Sequence, residues 1–222
     1  MAALGQHAPQ IVPALPGGRR TTTYALAGIV AGLAVAVGAF VVHGGGDGSL
    51  GQDNALRYAT LMVFRMSLVA YLLFYLARPL GELLPQNTGL WICRERRGLA
   101  FAFVAIYAVF LGCALAADGL SPMHTALPTL VFAGLSAMVL AALVAGERSG
   151  SVEDGHWRGA LRAMECVGVA YFWIVYAADA FDHISHPHRP DWYFGAALIA
   201  LALALVLRFA GSFRERLRRA QG

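Results

Sequence analysis

Long apolar runs, each close to the length of a membrane-crossing helix, alternate along this chain with short polar or arginine-bearing connections. A helix needs about 20 predominantly apolar residues to cross a hydrocarbon core about 30 Å thick. Six stretches fit: Tyr24–Val42, Arg57–Leu76, Gly98–Ala117, Leu127–Ala145, Cys166–Phe181 and Tyr193–Phe209. They are continuously apolar and lack the period-two alternation of barrel strands, so the pattern predicts an all-α bundle of six transmembrane helices. The fifth run is the least clean, being short and containing Asp179. It is expected to begin earlier, near Trp157 or Leu161, as an amphipathic approach to the membrane.

Composition points the same way. The chain is 58% hydrophobic and 14% charged, whereas a soluble domain carries about 25% charged residues. Too few charges remain to cover a globular surface, so lipid must serve as solvent. All 17 basic residues are arginine. The net charge of +4 suits cationic loops beside a membrane, and no basic stripe with interleaved aromatics suggests a nucleic-acid partner. Cys93, Cys113 and Cys166 are scattered, with no CxxC spacing, and read as small hydrophobic residues.

The arginines predict an orientation. Arg19 and Arg20 precede the first run, and Arg78, Arg94, Arg96 and Arg97 separate the second from the third. Arg148, Arg158 and Arg162 separate the fourth from the fifth, and Arg214, Arg216, Arg218 and Arg219 follow the sixth. The alternate connections hold almost none, which places both termini in the cytoplasm and the protein in a bacterial inner membrane. Residues 1–22 are expected to be a disordered tail, 23–211 the bundle and 212–222 a basic tail whose last residues are also disordered. Gly17-Gly18-Arg19-Arg20 faintly suggests a twin-arginine leader. The apolar run behind it is too long and has no small-x-small cleavage site, so a retained helix is expected. Its Gly28-x-x-x-Gly32 spacing allows close helix contact.

Ionisable groups inside apolar runs are costly and therefore informative. Arg65 lies about two turns inside the second run, and Asp179 near the end of the fifth, which suggests a pair; helix carbonyls or water are the alternative partners for Arg65. Glu165, early in the fifth run, reads either as an interfacial carboxylate or as a buried, neutral one. The segment "DAFDHISHPHRPD" gathers Asp179, Asp182, His183, His186, His188 and Asp191. Asp179, Asp182 and His183 share one helix face, and Asp182, His183, His186 and His188 are candidate ligands for a divalent transition metal. Ordinary interfacial polarity is the competing reading.

Three stretches, "ALRYATLMVFRMSLVAYLLFYLARPLGELL", "RERRGLAFAFVAIYAVFL" and "WRGALRAMECVGVAYFWIVYA", together resemble the bacterial ferric-reductase-like transmembrane proteins. These are relatives of the haem-binding membrane part of ferric reductases, NADPH oxidases and the haem subunit of periplasmic methionine sulfoxide reductase. The likeness covers about residues 55 to 185. It rests on Arg65-x-Ser67-Leu68, Ala77-Arg78-Pro79-Leu80, the run from Arg96 to Ala102, and Val167-Gly168-x-x-Tyr171-x-Trp173.

The resemblance implies a six-helix bundle that holds b-type haem between facing histidines and carries electrons across the bilayer. In that family the third span bears histidine near its middle, and the fifth opens on Leu-His. The matching positions here are Tyr107 and Phe110, and Glu165 after Met164. A bis-imidazole centre needs two facing imidazoles, and none of the seven histidines falls in the middle of a run. The first expectation is therefore a haem-less relative acting as a partner-binding or scaffold subunit, with another membrane or periplasmic redox protein as partner. An electron-transfer component holding one haem b through Tyr107 and Glu165 is the alternative. A transporter or a proton- or metal-linked sensor using Arg65, Glu165 and Asp179 is the second. No Gly-rich βαβ motif for flavin or nicotinamide is present.

Overall fold

The computed structural model describes residues 17–44, 52–84, 86–119, 126–148, 155–185 and 192–221. These form six helices: α1 (Gly17–Gly44), α2 (Gln52–Leu83), α3 (Gln86–Gly119), α4 (Ala126–Arg148), α5 (Gly155–Ser185) and α6 (Trp192–Gln221). Each holds one of the six apolar runs. Four are long and apolar enough to cross a membrane, over Thr22–Val41, Ala55–Gly81, Glu95–Ala117 and Trp192–Gly211. α4 contributes the shorter apolar stretch Val131–Ala142, and in α5 the apolar run is confined between Glu165 and Asp179.

The helices outrun the apolar stretches because backbone hydrogen bonding continues into water, where polar residues are equally good helix formers. α3 starts at Gln86, well before Gly98, and α5 starts at Gly155, earlier than Trp157. α6 continues to Gln221, so the arginine-bearing segment after residue 211 is helical. Residues 17–22, placed by sequence in the N-terminal tail, begin α1; residues 1–16 lie outside the described residues.

α2 meets α3, α3 meets α4, α4 meets α5, α5 meets α6, and α6 returns to α2. Five helices thus close a ring around a shared core, while α1 lies outside it against α2 and α3. The outward face of α1 presents Leu26, Val30, Val37 and Val41, each more than half exposed, as a lipid-facing helix should. Its inward face is the Gly28–Gly32 stripe. A Cβ at Gly28 would lie 2.8 Å from the Ala102 carbonyl oxygen, and one at Gly32 3.3 Å from Val109. Tyr24 covers Gly98 one turn further along and donates a 2.6 Å hydrogen bond to Glu95. The small-residue spacing therefore does bring α1 and α3 together.

The turn between α2 and α3 is equally tight. Pro85 ends α2, since the residue before a proline is biased away from helical geometry, and the chain doubles back so that Gly89 meets the Gly81 backbone. Only a residue without a side chain at Gly89 lets the backbones approach so closely.

Candidate functional site

The middle of the ring is filled by aromatic side chains contributed by three helices. Tyr71 and Phe74 come from α2, Phe103 and Tyr107 from α3, and Phe172 and Tyr176 from α5; all six are almost completely buried. Tyr107 lies with its ring centroid 4.8 Å from Phe172, 5.1 Å from Phe110 and 5.7 Å from Phe103. Phe103 meets Phe172 edge-on at 5.0 Å, and Phe64 reaches Phe110 at 4.9 Å and Tyr176 at 5.0 Å. These separations are those of rings in contact, and each pair adds about 0.5–1.5 kcal/mol beyond simple burial.

Hydroxyl groups in a low-dielectric interior must find partners, and most of these do. The Ser67 hydroxyl bonds the Phe64 carbonyl at 2.6 Å and the Tyr176 hydroxyl at 2.7 Å. Ser67 has one hydrogen, so with that hydrogen on the carbonyl Tyr176 is the donor to Ser67. Tyr71 donates to the Val169 carbonyl at 2.7 Å, and Ser136 pairs with Tyr171 at 2.9 Å. Trp173 donates to the Leu201 carbonyl at 3.2 Å. Tyr107 is the exception. Its hydroxyl is buried with no hydrogen-bond partner among the described residues. A buried unpaired hydroxyl costs about 1–3 kcal/mol, so Tyr107→Phe is expected to stabilise the protein by a similar amount. A rise in the unfolding midpoint would show it.

The three positions matched to the family's haem ligands are not equivalent. Tyr107 stands at the centre of the aromatic cluster, and Phe110 sits one turn along α3, half-buried between Tyr107 and Phe64. Glu165 lies in α5, but its side chain is outside the described residues. A haem between axial ligands on α3 and α5 would have to occupy the space where Tyr107 and Phe172 touch. The phenol and benzyl rings there offer no imidazole, so the described residues do not make a bis-imidazole haem site.

Arg65 is deeper than two turns. It lies ten residues inside the span that begins at Ala55, about 15 Å along the axis at 1.5 Å per residue. Its guanidinium packs over Tyr193 at 4.4 Å and Phe194 at 5.3 Å, and Tyr193 donates to the Arg65 carbonyl at 3.4 Å. Two facts of geometry explain why it reaches α6. α2 borders α6 in the ring. Side chains also lean toward the N-terminus of their helix, which carries the guanidinium toward the first turn of α6, where aromatic faces attract it. The close ionic neighbour of Asp179 is His183, with Nδ1 3.6 Å from Oδ1; Arg65 acts on that carboxylate through its longer-range field.

Two of the four metal-ligand candidates, Asp182 and His183, lie among the described residues. The ring of His183 is stacked on Phe194 at 4.0 Å, and its Nδ1 lies 2.9 Å from the Asp179 carbonyl. Asp182 is exposed. Among the described residues no three His, Cys, Asp or Glu side chains form a metal-binding group. His186 and His188 lie outside the described residues.

Sequence reasoning overlooked Arg208, which lies over the Tyr75 ring at 4.8 Å. The signal was there: one arginine beside Phe209, at the end of an otherwise uncharged run. It also overlooked the hydroxyl pairs, because partners 35 or 109 residues apart leave no local pattern.

Fold and site together define a helical membrane protein with a packed aromatic centre. Comparison with known proteins takes the matter no further: no family model, curated protein or solved structure matches the chain.

Proposed function

We propose that this chain is a six-span protein of the bacterial inner membrane, with both termini cytoplasmic, built on the ferric-reductase-like plan but without its haem. It serves as a partner-binding or scaffold subunit, most naturally for another membrane or periplasmic redox protein. The observation that carries this reading is the direct contact of Tyr107 with Phe172, at the level where the resemblance implies an iron porphyrin between imidazoles. Clustering of Arg78, Arg96 and Arg97 at the α2–α3 turn supports the orientation.

One observation favours the electron-transfer alternative, a single haem b held through an unusual ligand: the Tyr107 oxygen is buried without a hydrogen bond, and tyrosinate is a known haem ligand. An absorption spectrum of the purified protein, oxidised and dithionite-reduced, separates the two. A colourless preparation is expected. A Soret band with a reducible α-band, lost in Tyr107→Phe, would replace the scaffold reading by the electron-transfer one.

A further inference from the structure

A groove of about 570 Å³ lies at the end of the bundle where α5 finishes, between α2, α3, α4 and α5. Its volume is in the range of sites that hold small ligands. Phe64, Phe110 and Phe132 line it together with Ile174, while Arg57 and Asp179 are its charged residues. The charges and the rings occupy different depths. Arg57 stands seven residues before Phe64 on α2, about 10 Å nearer the helix end at 1.5 Å per residue. Asp179 stands one turn beyond Val175 on α5, displaced in the same direction. A ligand filling this space would therefore have its polar part toward the end of the bundle and its apolar part against the phenyl rings.

The two charges are of opposite sign. An anionic headgroup would gain from Arg57 and be repelled by Asp179, and a simple cation would meet the reverse. A zwitterion satisfies both. The bilayer around the protein supplies molecules of this shape at this depth. We propose that the groove binds a zwitterionic phospholipid, its phosphate taken by Arg57, its ammonium by Asp179 and an acyl chain by Phe64, Phe110 and Phe132. His183 approaches one oxygen of Asp179 at 3.6 Å, and a carboxylate has acceptor sites to spare for an ammonium. A primary ammonium donates hydrogen bonds to a carboxylate and a quaternary one does not, so phosphatidylethanolamine is preferred over phosphatidylcholine.

A second groove, of about 430 Å³, gives the contrast. Arg208, Tyr75, Cys166 and Trp173 line it between α2, α5 and α6, and none of the described lining residues is acidic. It lacks the carboxylate that the proposal requires, which makes Arg208 a control. The proposal stands apart from the haem question and rests only on the placement of these helices in a bilayer.

The test is native mass spectrometry of the full-length protein in detergent with an equimolar mixture of phosphatidylethanolamine, phosphatidylcholine and phosphatidylglycerol. The wild type is expected to retain phosphatidylethanolamine about tenfold over phosphatidylglycerol, since only its ammonium donates charge-assisted hydrogen bonds to the carboxylate. Asp179→Asn should reduce that preference about fivefold or more, Arg57→Gln should lower retention of both lipids about fivefold or more, and Arg208→Gln should leave both readouts unchanged. Ala178→Trp, at an exposed position that lines this groove and not the second, should occlude the groove and lower lipid retention at unchanged melting temperature. Equal retention of phosphatidylethanolamine and phosphatidylglycerol by the wild type would overturn the proposal. So would a preference unchanged in Asp179→Asn, total retention unchanged in Arg57→Gln, or displacement of the lipid by soluble phosphoethanolamine at equal concentration.

Discussion

Phe172→Ala is expected to lower the stability of the bundle by about 3 kcal/mol, the lower end of the range of about 3–5 kcal/mol for truncating a core phenylalanine. Phe172 has no exposed surface and touches Phe103, Tyr107 and Tyr171 at ring separations of 4.8–5.1 Å, with Tyr71 at 6.4 Å. The low end follows from the solvent. In a bilayer the competing environment is also hydrocarbon, so little transfer free energy is lost and the cost is mainly the cavity and the broken ring contacts. Because the rings around Phe172 are held by one another, the site collapses poorly. Ile174, two residues along the same helix but 60% exposed, provides the comparison: Ile174→Ala should cost less than about 1 kcal/mol. Reversible unfolding in mixed detergent and denaturing micelles measures both. Equal effects would mean that α5 does not turn its aromatic face inward.

Gly28→Leu should detach α1 while leaving the five-helix ring intact. A Cβ at this position would lie 2.8 Å from a backbone oxygen and 3.2 Å from the Ala102 Cα. Neither atom can rotate aside, so the helices must separate, at a cost of about 1–3 kcal/mol for overpacking. Separation also takes Tyr24 away from Glu95. Amide hydrogen exchange should accelerate throughout α1 and change little in α2–α6. Gly38→Leu is the control, since a Cβ at Gly38 meets nothing within 4 Å. If both variants exchange alike, α1 is not held by its glycine stripe.

The two results test different parts of what the chain order reveals. The six apolar runs each became a helix because runs of that length, with no backbone partner in lipid, have no other way to bond their amides. The Gly28–Gly32 stripe was readable because helix periodicity puts residues four apart on one face. The partner of Arg65 was not readable. Two oppositely charged residues at similar depth suggest a pair, but depth says nothing about which helices are neighbours in the ring. The packing of Phe103, Phe172 and Tyr176 around Tyr107 was not readable either, since it depends on how α3 and α5 turn toward each other.

Local order of the chain thus decided which residues are helical, which stretches are apolar enough for lipid, and where small residues allow close approach. Each of these depends on neighbours within a turn or two. Tertiary structure alone decided that α1 stands outside a ring of five, that Arg65 leans on Tyr193 and Phe194, and that Tyr107 is left with an unpaired hydroxyl against Phe172. Those outcomes come from side chains brought together across the bundle, where every ring and hydroxyl competes for the same small volume.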